Sequence, residues 1–304
     1  MKKFLCLILI ALLCAPSALA LSFTDANGRS VEVAEHPQRV VSLYNSYGDA
    51  WLTAGGTLVG SIADAFDDDA LGEDVQNLGS HTEPNMELLF SLNPDFVLLS
   101  SDVASQIDIA AMLEEADIPC AFFSTQDWRD YMESMRIFTR LTGREDLYQQ
   151  QLETVQQPIE AILAEAQALN RHPTALLIRA NSITVKARSS EGTVAGAILR
   201  DMGFENLADS NSALCESISM ETVLVEDPDY IFVVLQGTSA AAAEESLTAV
   251  LTGNPAWNTL SAVREGRFYV LDRDLFHYHP NARWARMCRT WAATPSRTWS
   301  CCSP

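Results

Sequence analysis

Basic residues are scarce in this chain. Lys and Arg number 20 against 40 Asp and Glu, a formal charge of −20 with histidine neutral. So acidic a chain, with no compensating basic run, repels phosphate backbones, which excludes nucleic acid as a partner. Long apolar runs are also missing. Beyond residue 20 no segment reaches eighteen uninterrupted apolar residues, so none there spans a bilayer as a helix. Cysteine is sparse: of seven, only Cys120, Cys215, Cys288, Cys301 and Cys302 lie beyond residue 20. Their scatter and odd number make no disulfide framework. Adjacent Cys301 and Cys302 are no metal-binding Cys-x-x-Cys pair. The Gly55-Gly56 to Gly60 region has neither the Gly-x-Gly-x-x-Gly pattern nor a phosphate-binding lysine. Gly-x-Ser-x-Gly and His-Glu-x-x-His are absent as well. An enzymatic reading therefore has no motif to rest on.

What is present is globular: 48% hydrophobic and 20% charged residues over 304 positions. That length suits about two domains at ~150 residues each. The N-terminus is a separate object. Lys2 and Lys3 precede the apolar run Phe4 to Leu13, and Ala18-Leu19-Ala20 supplies small residues at a cleavage site. Residues 1–20 thus read as a secretory signal peptide, and the chain as exported. A lipoprotein signal acylated at Cys14 ranks second, because Leu13 before it is bulky. The expected location is the periplasm, or the cell surface if Cys14 is lipidated.

Short apolar strands alternate with amphipathic helices. Arg39 to Leu43, Phe96 to Leu99 and Cys120 to Phe123 read as strands, with a helix through Ile109, Leu113 and Ala116 between the last two. Thr174 to Ile178, Tyr230 to Leu235 and Arg267 to Leu271 repeat the logic, with a helix from Thr193 to Met202 stopped by Gly203. Such alternation predicts an α/β protein with parallel sheets covered on both faces. A sharper echo runs through both halves. Met86-Glu87 precedes Pro94-Asp95-Phe96, and Met220-Glu221 precedes Pro228-Asp229-Tyr230, each Glu eight residues before the Asp. Between the halves, Leu152, Val155, Ile159, Ile162, Ala166 and Leu169 mark one amphipathic helix, with Pro158 as its kink or restart.

Ligands of open α/β sheets bind beyond the C-terminal strand ends. The loops expected there carry Tyr47 and Trp51, Trp128, and Arg188, whose guanidinium suits an anion. The Phe276-His277-Tyr278-His279 cluster offers imidazole and phenol groups that could ligate iron or touch a ring-shaped ligand. His81 lies in the loop before the first Met-Glu pair.

The signal peptide, the segment HPQRVVSL (36–43), the two echoes, the inter-lobe helix, LRDMGFENLAD (199–209) and HPNARW (279–284) together resemble the substrate-binding protein of an ABC importer, of the iron-siderophore, haem and cobalamin group. The likeness covers roughly Phe23 to Trp284. It implies two Rossmann-like α/β lobes with parallel sheets joined by a single long α-helix, with cargo held in the cleft between them. The expected divisions are a signal peptide at 1–20, an N-terminal lobe at 21–144, the inter-lobe helix at 145–171 and a C-terminal lobe at 172–304. It further implies a monomer with no enzymatic activity and no intrinsic cofactor. The cargo would be an iron chelate, haem or cobalamin, touching Tyr47, Trp51, Trp128, Arg188, His277 and Tyr278. Glu87 and Glu221 would dock onto arginines of the membrane permease dimer. A free zinc or manganese receptor is the alternative, with His81 and His279 as contributors, and an exported enzyme ranks below it. One departure stands out: no Asp or Glu follows Asp274. The tail, residues 285–304, lacks the acidic amphipathic helix the family would place there, as a frameshift or misread gene end would leave it.

Overall fold

The computed structural model describes residues 20–66, 71–237, 239–271, 273–276 and 280–289, without the side chains of residues 273 and 274. The expected signal peptide and Cys14 lie outside the described residues, as do His277, Tyr278, His279 and the tail from residue 290. Among the described residues no helix is long and apolar enough to cross a membrane.

The chain divides into two compact units. One runs up to Phe122 and takes in Ile137–Glu145; the other takes in Phe123–Arg136 and continues from Asp146.

The first unit opens with a hairpin of β1 (Ala20–Thr24) and β2 (Ser30–Ala34). The buried Asp25 carboxylate accepts the backbone N–H groups of Asn27, Arg29 and Phe122, which fastens the hairpin turn to the sheet. That sheet contains β3 (Val40–Ser42), β4 (Leu58–Ser61), β5 (Gln76–Asn77), β6 (Phe96–Ser100) and β7 (Cys120–Phe123), in the order β5-β4-β3-β6-β7. Strand β3 pairs in parallel with both β4 and β6. Helix α1 (Asn45–Thr53) joins β3 to β4; α2 (Met86–Ser91) precedes β6; α3 (Ser105–Glu115) joins β6 to β7. Val41, Leu43, Leu89, Val97, Leu99, Ile109 and Leu113 fill the core under one face. Ala116, expected on the buried face, is the exposed C-cap of α3.

Helix α4 (Trp128–Thr142) crosses the division between Arg136 and Ile137. Its Tyr131, Met132, Met135, Phe138 and Leu141 are buried. The helical run that follows is continuous but not uniform: α5 (Glu145–Gln151), a π-helical turn (Leu152–Gln156), then α6 (Gln157–Ala168). Pro158 stands in the first turn of α6. It has no N–H, and its ring would clash with the carbonyl four residues back; the π turn absorbs the mismatch. The turn rotates the buried face, so Val155, Ile159, Leu163 and Ala166 point inward, while Ile162 is half-buried and Leu169 is exposed.

The second unit repeats the sheet logic. It contains β8 (Thr174–Ala180), β9 (Val185–Ala187), β10 (Glu205–Asn206), β11 (Tyr230–Leu235) and β12 (Phe268–Val270). The parallel order is β10-β8-β11-β12, and β9 folds back antiparallel on β8. Helix α7 (Val194–Asp201) joins β9 to β10, α8 (Met220–Glu226) precedes β11, and α9 (Ala240–Leu247) follows it. Thr193 caps α7, and Gly203, at φ +84°, lies just beyond its C-cap Met202. Trp284, Ala285, Met287 and Cys288 are buried, so the described start of the tail packs into the protein.

The sequence echo is an atomic repeat. Asn85 caps α2 by accepting the N–H of Leu88, and Ser219 caps α8 by accepting that of Thr222. Asn93 and Asp227, each before a proline, take left-handed φ values of 45° and 36°. Asp95 then accepts the N–H groups of Gln38 and Arg39 just before β3, and Asp229 accepts the N–H and hydroxyl of Thr174 at the start of β8.

Candidate functional site

In each unit two adjacent parallel strands send their connections to opposite edges of the sheet. In the first, β3 leads to β4 on one side and β6 to β7 on the other. In the second, β8 leads to β10 and β11 to β12. Such a switch point opens a crevice at the C-terminal strand ends, where open α/β sheets bind ligands.

The first crevice lies where β3 ends at Ser42 and β6 at Ser100. The Ser42 hydroxyl donates to the Tyr44 carbonyl at 2.7 Å, which sets the turn into α1. The fully buried Gln106 ties the surrounding loops together: its Oε1 accepts the Ser100 N–H at 2.7 Å, and its Nε2 donates to the carbonyls of Leu43 and His81 at 3.0 and 2.9 Å. Half-buried Tyr44 packs edge-on to the His81 ring at 6.1 Å. Burial first, and then the Asp102 and Asp64 carboxylates, push the Tyr44 phenol upward, so it stays protonated at neutral pH. His81 Nδ1 lies 3.8 Å from Asp64. A pocket of about 390 Å³ beside this group is lined by His81, Thr82, Glu83, Asp102 and Ser105.

Two of the residues expected to touch cargo are buried here. Tyr47 is fully buried under the crevice, sharing a 3.4 Å hydrogen bond with Ser100 Oγ. Trp51 is a core residue: its indole N–H donates to the Thr57 carbonyl at 2.9 Å, and its rings meet Phe96 and Phe138 edge-on. Helix α1 turns both side chains inward, and Tyr44, at its head, is the tyrosine left half-exposed.

The second crevice lies where β8 ends at Ala180 and β11 at Leu235, and the Gln236 N–H donates to the Ala180 carbonyl at 2.8 Å. Asn181 Oδ1 accepts the N–H groups of Ile183 and Thr184, which shapes the β8–β9 turn. Arg188 follows β9; burial first, and then the nearby Arg188, push the Arg179 guanidinium on β8 below its ordinary value. Trp128 is not free for a ligand. It is 6% exposed, its indole N–H lies 3.3 Å from Asp201 Oδ2, and Arg129 stacks on its ring at 4.4 Å. Ion pairs Arg129–Asp201 (2.7 Å) and Arg200–Asp127 (2.9 Å) complete a lock between the N-terminus of α4 and the C-terminus of α7. Glu87 and Glu221 are both exposed, and among the described residues neither has an ion-pair partner. No group of three or more His, Cys, Asp and Glu among the described residues could hold a metal ion.

Gln106 and Arg179 were not singled out from sequence. Arg179 did leave a signal, a lone cation ending an apolar strand. Gln106 left none, because its role depends on three loops meeting around it.

Two α/β units with matching switch-point crevices and matching capped helices define a two-unit ligand-binding protein. The chain belongs to the periplasmic binding protein family, whose sequence pattern its residues 40–275 match. It is 29% identical over 264 residues to the Fe(3+)-citrate-binding protein YfmC of Bacillus subtilis strain 168, covering 82% of this chain and 78% of that protein. To the putative ABC transporter substrate-binding lipoprotein YhfQ of the same strain it is 25% identical, over 90% of this chain and 91% of that one. The solved structure of the petrobactin-binding protein YclQ from Bacillus subtilis shares its fold, with a TM-score of 0.70 at 20% identity over 91% of this chain and 98% of that chain.

Proposed function

We propose that the chain is the extracytoplasmic binding component of an ABC importer. It captures a metal chelate (an iron complex, haem or cobalamin) and passes it to a membrane permease without altering it. The observation that carries this reading is the atomic repeat. Glu87 and Glu221 stand at equivalent positions in the first turns of α2 and α8, exposed and, among the described residues, without an ion-pair partner, above strands stapled in the same way. Two copies of one acidic device, one per unit, suit a partner that presents two like subunits, as a permease dimer does. Each acid meets an arginine of one subunit. The chelate sits at the C-terminal strand ends. The names of the relatives support the cargo class: one binds ferric citrate and another petrobactin.

Equilibrium dialysis of the purified chain against ferric citrate, haemin and cyanocobalamin tests capture. The expected result is saturable one-to-one binding of one of these, with the complex recovered chemically unchanged. Failure to bind any of them, or conversion of one, would overturn the reading.

A further inference from the structure

The helices that carry Glu87 and Glu221 share one plan inside and differ at the surface. Aligned from their caps, Asn85 matches Ser219, Glu87 matches Glu221, and Asp95 and Asp229 close the two repeats. The inward position is apolar in both, where Leu89 and Val223 are buried. Three and four residues after each acid the likeness ends, at positions on the acid's own face of the helix. In α2 these are Phe90 and Ser91. Phe90 is half-buried against the first unit's core, and the Ser91 hydroxyl turns back to donate to the Leu88 carbonyl at 2.7 Å. In α8 they are Leu224 and Val225, 36% and 81% exposed. Two adjacent apolar side chains thus stand in water beside Glu221, where Glu87 has a polar neighbour. A single exposed apolar residue is ordinary. This pair adjoins one of two matched acids, and the fold gains little from it, because Val225 is nearly bare. Exposed Glu221 and Glu226 bound the pair along the helix. A surface that covers this patch must be apolar at its centre and basic at its rim.

Symmetry then bears on the partner. Two identical subunits offer one and the same patch to both helices. An apolar anchor on one helix alone would meet a surface that must also suit the polar helix. Two subunits alike in fold but not in sequence remove that conflict. We propose that Leu224 and Val225 anchor α8 to one particular permease subunit, whose arginine is set in an apolar surface. Helix α2 meets a second, non-identical subunit, whose arginine has polar surroundings. The permease is therefore a heterodimer, and the chain docks on it in one orientation. This inference rests on the reading that Glu87 and Glu221 face a permease, and it specifies which kind.

The test measures docking of the purified, fluorescently labelled full chain onto its cognate permease in lipid nanodiscs, by anisotropy. Leu224→Ser/Val225→Ser should weaken docking roughly tenfold. Ile107→Ser, which removes an apolar side chain 59% exposed on α3, should stay within about twofold. The melting temperature of the double variant should not fall, because both side chains face solvent. If that variant fails to fold, Val225→Ser alone carries the test, with a loss of about threefold expected. A photo-crosslinking residue at position 226 should join one permease polypeptide, and one at position 91 the other, as peptide masses would identify. Undiminished docking of the serine variants, or capture of the same polypeptide from both positions, would overturn the anchor and leave the importer reading standing. Docking of Glu87→Arg/Glu221→Arg as tight as that of the unaltered chain would overturn both.

Discussion

Trp51 shows why aromatic residues mislead when read one at a time. In sequence it stands just after a strand, where cargo contacts are expected. In the fold, helix α1 turns it into the core, and Gly56 leaves the room it needs: a Cβ there would lie 2.2 Å from the indole. The Gly55-Gly56 pair was visible, but its meaning depended on knowing what it would face. Cys288 was legible only as one of five scattered cysteines. Its burial, followed by the nearby Asp201 and Asp127 carboxylates, pushes it from an ordinary 9.0 up to about 12. Two outcomes follow. At pH 8 the folded chain should resist alkylation at Cys288, while unfolded chain reacts, as mass mapping after iodoacetamide would show. The raised value also fixes a sign for stability. The protonated thiol suits the fold, so its contribution is intact below about pH 9 and is lost as pH rises from 9 toward 12. Rapid labelling of Cys288 in native protein at pH 8 would contradict this placement.

Among the elements, the principal strands were legible and the marginal ones were not. Phe96–Ser100, Cys120–Phe123 and Tyr230–Leu235 are apolar throughout and follow clear turn signals. Strands β5 and β10 have two residues each, too few to show a period. Helix α4 does show helical spacing, at Tyr131, Met135 and Phe138, but the charges between them break up the apolar pattern. The echo was legible because hydrogen bonding demands it. A carboxylate must stand at a fixed distance past the capped helix to reach the backbone entering the neighbouring strand. Asp95→Ala and Asp229→Ala should therefore each destabilise their unit by about 1.5–3 kcal/mol, the usual worth of hydrogen bonds to a charged group. Urea unfolding checks this, with cargo affinity expected to hold because the staples lie at the opposite strand ends from the crevices. A midpoint unchanged in both variants would show the repeat to be idle.

At the scale of the whole molecule, the two-unit α/β plan was readable from composition, strand alternation and the echo, and family membership follows from residues 40–275. Three of the six expected cargo residues are buried in the described structure. Tyr47, Trp51 and Trp128 are held by packing and hydrogen bonds that depend on residues far away in the chain. Sequence does locate the two exposed acids, because each sits in a motif with its own cap and staple. The central claim is that these acids serve a partner and not the fold. A single exposed ion pair is worth only about 0–1 kcal/mol, but a pair of them steers association and fixes its orientation. The decisive measurement is uptake of labelled cargo through the cognate permease, read beside cargo affinity in solution, for Glu87→Arg/Glu221→Arg. Reversed charges meet arginine with arginine, so uptake should fall well below that of the double alanine variant while cargo affinity stays unchanged. Uptake at the unaltered rate, with normal protein levels, would contradict the account.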